Sequence, residues 1–323
     1  MRKQEPGEGE ASLTDPHFRA DVLTGLAARP RAIPARWFYD RRGSELFEAI
    51  TRLPEYYPTR TETALLERIC PDLDVTAGAA VVEFGSGSSA KTPILLRCIE
   101  PAAYVPIDIS GDFLRQSARD LAADFPGLAV LPVEADFLRP VPLPEQVAGM
   151  PKLGFFPGST IGNMDAYQAV DLLRAMRVWL GEGAKLLIGM DRVKSPDILV
   201  PAYDDAQGVT AAFNLNLLDR INRELAGSIP LDAFRHRAIW NDEASRIEMH
   251  LEATSDVAFE VEGRPFSMTA GETIHTENSH KYGERGARLM LRAGGWTPVR
   301  EWTDPQGWFS LILAEAQPVP QAP

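Results

Sequence analysis

The stretch from Ala79 to Lys91, AAVVEFGSGSSAK, constrains the fold more than any other part of the chain. Small and branched apolar residues run without a break into Glu83, which suits a strand buried on both faces, as in a parallel sheet covered by helices. A loop of Gly85, Ser86, Gly87, Ser88 and Ser89 follows. Glycine there lets a ligand approach the backbone where a side chain would block it. Thr92 to Cys98 (TPILLRC) has the apolar content of a helix start, so the loop amides would point at a bound anion.

The spacing narrows the ligand. A dinucleotide fingerprint reads G-x-G-x-x-G, and here Ala90 stands at its third glycine. An acid closing the first strand, E-x-G-x-G, is the commoner form in enzymes that bind S-adenosylmethionine. A second acid should then close the next strand and hold the ribose hydroxyls, and Asp108 ends AAYVPIDIS. An ordinary strand–turn–helix with structural glycines is the alternative.

The rhythm continues on both sides of this loop. Strands are expected at Tyr104 to Ile109, Ala129 to Val133, Leu153 to Phe156 and Ala184 to Met190, with helices at Phe113 to Ala123 and Ala166 to Leu180. Such alternation predicts an α/β fold with a largely parallel sheet. Ligands of these sheets sit beyond the carboxyl ends of the strands, where Glu83, Asp108, Asp136, Asn163 and Asp191 all fall.

From Lys194 the pattern changes. Asn214 to Leu225 reads as a helix, and HRAIWND, RIEMHLEATSD and AFEVEG read as antiparallel strands, with a further short strand at Arg264 to Met268. Alternation puts Ile247, Met249 and Leu251 on one face and Glu248, His250 and Glu252 on the other. Glu272 to Tyr282 reads as a polar connection into a helix at Gly283 to Ala293, and a terminal hairpin closes the chain. Near the amino end, FRADVLTGLAAR and the segment after Ser44 look helical, and Thr59 or Thr61 starts another helix. The aromatics Trp37, Phe38, Tyr39, Phe47, Tyr56 and Tyr57 crowd the same region. Tyrosine wants a polar partner at one end, so Tyr39 and Tyr56 are the better candidates for a ligand wall. The expected division is a tail over residues 1–13, a second domain from 14–60 and 195–281, and a sheet domain from 61–194 and 282–323.

Bulk properties exclude some classes. A net charge of −12 argues against nucleic acid or an anionic membrane as the main partner. The polar amino terminus has no signal-peptide core and no run reaches membrane-spanning length, so a cytoplasmic protein is expected. Cys70 and Cys98 have no paired spacing and support neither a disulfide framework nor a cysteine metal site. His275 and His280 are not a convincing metal pair, and no metal is expected.

Taken together, WFYDRRGSELFEAIT, LPEYYPTRTE, EFGSGSSAKT, YVPIDIS, FFPGSTIGN, LLIGMDRVK, PAYDDAQGVTAAFNLNLLDRIN and HTENSHKY closely resemble the histidine-specific methyltransferases, which make histidine betaine (hercynine) in ergothioneine biosynthesis. The resemblance runs from about residue 15 to 315. It implies a Rossmann-like, seven-stranded S-adenosylmethionine-dependent methyltransferase sheet with a second α+β domain built from the amino-terminal segment and an insertion. It also implies site residues. Glu83, Gly85 and Gly87 would form the cofactor loop, with Lys91 and Tyr56 on the methionine carboxylate, Asp108 on the ribose, and Asp136 and Phe137 on the adenine. Asn163 and Tyr203 would hold the carboxylate of L-histidine, Tyr39 would orient its amine, and Glu277 and Ser279 would read the imidazole. Met249 would pack behind the ring.

The chemistry agrees with these residue types. Transfer from a sulfonium is an in-line displacement that needs alignment and a nitrogen lone pair. An aromatic, dry pocket favours the neutral amine, and the faces of Tyr39 or Phe47 tolerate the quaternary ammonium product. A monomer is expected. Three other readings remain: a methyltransferase for another amino acid or small amine, a nicotinamide-dependent dehydrogenase, and a noncatalytic cofactor-binding protein. The dehydrogenase should show a fuller glycine fingerprint and a catalytic His or Lys–Tyr arrangement; the noncatalytic protein would be free to lose Asn163, Tyr203 and Glu277.

Overall fold

The computed structural model describes residues 15–87 and 91–318. The expected disordered tail over residues 1–13, and Ser88, Ser89 and Ala90 of the glycine loop, lie outside the described residues. In chain order the amino-terminal elements are α1 (Pro16–Ala27), β1 (Arg31–Ala32), α2 (Arg41–Ile50) and α3 (Tyr57–Ile69). There follow β2 (Ala80–Phe84), α4 (Thr92–Ile99), β3 (Ala103–Asp108), α5 (Gly111–Asp124), β4 (Ala129–Val130) and β5 (Val133–Glu134). Next are β6 (Lys152–Phe156), α6 (Ala166–Leu180), β7 (Lys185–Asp191), α7 (Pro196–Tyr203) and α8 (Val209–Glu224). The chain continues through β8 (Phe234–Asn241), β9 (Arg246–Ala253), β10 (Val257–Val261), β11 (Arg264–Met268) and β12 (Thr273–His280). It closes with α9 (Glu284–Ala293), β13 (Trp296–Thr303) and β14 (Phe309–Ala316).

The larger sheet runs β13-β14-β7-β6-β2-β3, with β4 and β5 both pairing with β3. One expected strand is thus broken into two short pieces, so eight strands occupy the seven places of the expected sheet. All pairs from β7 to β4 and β5 are parallel, while β14 is antiparallel to both β7 and β13. Every residue of β2 is buried, as its unbroken apolar run requires. Strand order reverses between β3-β2 and β6-β7, which opens a crevice at the carboxyl ends of β2 and β6.

The second sheet has the order β1-β12-β9-β8, with β10 and β11 as a separate hairpin. Ile247, Met249 and Leu251 of β9 pack with Phe213, Leu217 and Ile221 of α8 and with Phe18, Val22 and Leu26 of α1. Helix α3 joins the two layers: Tyr57 belongs to this core, whereas Leu65, Leu66 and Ile69 pack under the larger sheet.

Three expectations are corrected. The stretch read as a polar connection is the strand β12, held between β1 and β9. Its sequence, TIHTENSH, shows no apolar alternation because His275 to Ser279, polar residues all, line the cavity instead of packing in a core. Helix α7 was not expected; Pro196 is tolerated in its first turn, but Pro201 breaks the helical pattern in sequence. Cys70 and Cys98, unpaired by spacing, are joined as a disulfide, because α4 folds back beside the end of α3.

Candidate active site

One cavity of about 720 Å³ lies over the crevice, and the sequence-predicted site residues line it, except that Asp191 at the end of β7 lies behind its wall. Its walls come from both sheets. The larger sheet supplies the floor at the ends of β2, β3 and β6; the amino-terminal segment, α7, α8 and β12 supply the roof.

The glycine loop leaves β2 with Gly85 at φ 72° and Gly87 at φ 49°, a left-handed backbone that side chains disfavour. Turned this way, the Gly87 amide donates to Asp108 Oδ2 at 2.8 Å, and Asp108 Oδ1 accepts from the Ser110 amide at 2.9 Å. The acid that ends β3 therefore braces the loop after β2. Glu83 faces inward: the Thr92 and Tyr104 hydroxyls donate to its Oε2 at 2.7 and 2.5 Å. Burial pushes its pKa up to about 7 against those two hydrogen bonds. Its role is beneath the loop.

Asp136 accepts from the Leu138 amide at 2.9 Å and pairs with Arg36 at 3.2 Å. Arg36 also meets Asp21 at 2.7 Å, so the amino-terminal segment reaches over this end of the cavity. The Phe137 ring lies against Gly85 and packs edge-on to Phe84 and Phe156. Lys91 is ion-paired with Glu62, whose two oxygens also accept from the Gly158 amide at 3.0 and 2.8 Å. Sequence reasoning missed Glu62. The available signal was its place on the same face of α3 as Leu65, Leu66 and Ile69, where an exposed carboxylate would not be expected.

The other end is aromatic. Tyr39 meets Phe47 and Phe213 edge-on at 5.7 and 5.8 Å, and Tyr56 meets Phe47 and Tyr203 at 6.3 and 6.1 Å. Burial raises the pKa of Tyr39, Tyr56 and Tyr203, so all three keep their protons. Phe213 was not singled out from sequence, since a phenylalanine in a helix reads as ordinary core.

Asn163 ends a short 3₁₀ turn (Thr160–Asn163) that lies against β12. Gly162 permits this approach, because a Cβ there would sit 2.8 Å from the His280 carbonyl oxygen. Within β12, a register shift between His275 and Glu277 leaves Thr276 without a cross-strand partner. Its hydroxyl instead meets Asn214 Oδ1 at 2.8 Å and the Met249 carbonyl at 3.0 Å. Such a bulge re-aims the residues that follow it. Glu277 then stands opposite Met249, and both line the cavity. Burial pushes the Glu277 pKa up to about 7, with Lys281 pulling the other way.

Behind this wall lies a charged cluster that sequence reasoning did not assemble. Asp191 ends β7 and is paired with Lys194 at 2.6 Å and Lys281 at 2.8 Å, and the Tyr57 hydroxyl donates to it at 2.7 Å. Burial opposes its charge, but the two lysines prevail and hold its pKa below the usual value. Lys281 also donates to Tyr203 Oη and Ser279 Oγ.

His275 is brought not to His280 but opposite His250, their rings stacked at 4.7 Å, and with Glu248 their ligand atoms lie within 4.8 Å of one another. Glu248 is already matched by Arg246 at 2.6 Å and accepts from Asn241 at 2.9 Å. Stacked rings, moreover, aim their lone pairs along parallel planes rather than at one ion. No helix among the described residues is long and apolar enough to cross a membrane.

The chain is similar to known proteins along most of its length. The family model described as histidine-specific methyltransferase, SAM-dependent, matches residues 18–316. The chain is 41% identical over 308 residues to the histidine N-alpha-methyltransferase of Mycolicibacterium smegmatis, covering 92% of this chain and 94% of that protein. It is 40% identical over 304 residues to the protein of the same name from Mycobacterium tuberculosis, with the same coverage of 92% and 94%. Ergothioneine biosynthesis protein 1 of Neurospora crassa is 28% identical over 313 residues, which cover 89% of this chain and 34% of that protein.

Proposed function

This chain belongs to the SAM-dependent histidine-specific methyltransferases, and on that premise we propose that it methylates the α-amine of L-histidine three times, giving N,N,N-trimethylhistidine (hercynine) for ergothioneine biosynthesis. The observation that carries this reading is the single cavity that joins the glycine loop to an aromatic chamber closed by Glu277, Ser279, Tyr203 and Asn163. Cofactor groups and imidazole-reading groups share one space.

The floor fits S-adenosylmethionine. Ser86 Oγ is buried in the loop, has no hydrogen-bond partner among the described residues and lines the cavity, so a polar ligand is wanted there. Asp108 would hold the ribose, Asp136 and Phe137 the adenine, and Lys91 and Tyr56 the methionine carboxylate. When bound, the cofactor supplies a methyl group on a positively charged sulfur. The chain's own part is alignment. Asn163 and Tyr203 hold the histidine carboxylate, and Glu277 and Ser279 hold the ring, so the amine comes to rest beside Tyr39. The aromatic surroundings of Tyr39 disfavour an ammonium and so favour loss of its proton. The Tyr39 hydroxyl oxygen, kept neutral by burial, accepts from an amine N–H and so turns the nitrogen lone pair away from itself. Aromatic faces then accept the quaternary ammonium, which has no N–H to lose and less hydration to give up than the primary ammonium.

We divide the work between residues 61–194 with 282–323, which serve the cofactor, and residues 14–60 with 195–281, which serve histidine. Helix α3 crosses that boundary. The enzyme is read as a cytoplasmic monomer. The test is mass spectrometry of the purified protein with S-adenosylmethionine and each amino acid in turn. A product heavier by three methyl groups from histidine alone is expected. Methylation of another amine with histidine untouched would overturn the substrate assignment.

A further inference from the structure

We propose that Lys281 is a positioning residue that sets the direction of the hydrogen bonds in the substrate chamber, so that the histidine ring is bound with a proton at both nitrogens, one of them shared with Glu277. The inference rests on the proposed function, with Tyr203 at the substrate carboxylate and Ser279 and Glu277 at the ring.

The geometry leaves little freedom. Lys281 Nζ is buried at 2.8 Å from Tyr203 Oη, 2.7 Å from Ser279 Oγ and 2.8 Å from Asp191 Oδ2. An ammonium has three N–H groups and no acceptor, so all three are spent and both hydroxyl oxygens accept from it. Tyr203 Oη and Ser279 Oγ lie 2.7 Å apart, a separation that needs a proton between them. Two hydroxyls carry two protons. One is used within the pair, and one is left for the ligand.

A carboxylate only accepts, so Tyr203 must give its proton to the substrate and receive that of Ser279. Ser279 then has no proton to offer and presents a lone pair. The ring nitrogen facing it must carry N–H. The other ring nitrogen faces the Glu277 carboxylate, and two lone pairs in contact would repel, so a proton lies between those two atoms as well. Ring and Glu277 together hold two protons. Free, they hold one above about pH 7, given an ordinary imidazole pKa of about 6.5 and the Glu277 value of about 7. Binding above that pH therefore takes up a proton.

The other titratable and charged groups about the ring are His275 on β12, Lys281 just beyond it, Tyr203 of α7, and Tyr39 and Tyr56 from the amino-terminal segment. Asp191 and Lys194 lie beneath. Met249, from β9, is apolar. The three tyrosines stay neutral across the range, and burial lowers the pKa of His275, so it is neutral there too. Lys194, which burial lowers to about 8, titrates in the same window, so the test needs a control that retains it.

The probe is N,N,N-trimethylhistidine, which lacks a titratable amine, bound to the full-length enzyme with S-adenosylhomocysteine present. Calorimetry at about pH 8 in two buffers of different protonation enthalpy should give uptake of about one proton, and Kd should weaken about tenfold per pH unit above pH 7.5. Ser279→Ala, with Lys281, Lys194 and Glu277 intact, should bind more weakly, take up no proton and show a flat profile. A flat wild-type profile without uptake would overturn the proposal, as would full uptake in Ser279→Ala. Binding of S-adenosylhomocysteine without any binding of trimethylhistidine would instead overturn the substrate reading on which it rests.

Discussion

Glu277 is a carboxylate held where burial disfavours its charge, and in the proposed function it is the group that selects a ring bearing N–H groups. A substrate without such a group would leave it buried and unmatched, which is a large discriminating penalty. Glu277→Gln removes the charge and keeps the shape. Steady-state kinetics should show kcat/KM for histidine lower by about 10²-fold, chiefly through KM, with cofactor affinity unchanged. Glu83 is the second such group, and its effect falls on stability. Its folded pKa of about 7 lies above the ordinary carboxylate value of 4.5, so the folded state holds that proton more tightly. Its contribution to stability is full below the unfolded pKa and is lost as pH rises through about 7. Glu83→Gln, which cannot ionise, should therefore exceed wild type at pH 8 by an amount on the order of 2–3 kcal/mol, converging with it by pH 4. Urea denaturation at both pH values checks the sign.

At the scale of the element, β12 and the 3₁₀ turn Thr160–Asn163 act as one unit. The bulge at Thr276 changes which residues of β12 face the cavity, and Gly162 lets the turn touch the strand backbone. Gly162→Ala would place a Cβ 2.8 Å from the His280 oxygen and 3.2 Å from its nitrogen, and these backbone atoms cannot yield cheaply. The turn must lift, shifting Asn163 in the cavity wall. KM for histidine should rise by about tenfold or more while the Kd for S-adenosylhomocysteine stays within about twofold, since a displacement of a few tenths of an ångström spoils hydrogen-bond geometry at one end only. Equal loss at both ends would show that the turn does not act locally.

For the molecule as a whole, the critical joint is α3. Its first turn packs with the aromatic chamber, its last turns pack under the larger sheet, and Glu62 between them ties Lys91 and the Gly158 amide to one buried carboxylate. Removing one member of a buried pair leaves the other uncompensated, at a cost of roughly 3–5 kcal/mol. Glu62→Gln should lower Tm and also shrink the upward shift in Tm that S-adenosylhomocysteine confers on the wild type, because Lys91 is no longer held in place. A lowered Tm with the full ligand shift would reduce Glu62 to a structural role. Differential scanning fluorimetry separates the two.

The sequence by itself determined the sheet and the cofactor floor. Both rest on short-range pattern: the unbroken apolar run of β2, the two glycines after it, and the acid that ends β3 are each readable within a dozen residues, because burial on two faces and a sharp turn demand particular residue types locally. The resemblance by motif also named Tyr39, Asn163, Tyr203, Glu277 and Ser279 without showing what joins them. Only the tertiary structure decided that. Glu62, Phe213, Lys194 and Lys281 look in sequence like a solvated acid, a core aromatic and two surface lysines. They become partners of Lys91 and the Gly158 amide, a chamber wall and a buried charged cluster with Asp191 only when α3, α8, β7 and β12 converge. β12 itself was hidden for the same reason: a strand that turns polar side chains to a cavity loses the apolar alternation by which strands are recognised, and long-range pairing with β1 and β9 supplies the stability that its own pattern does not advertise.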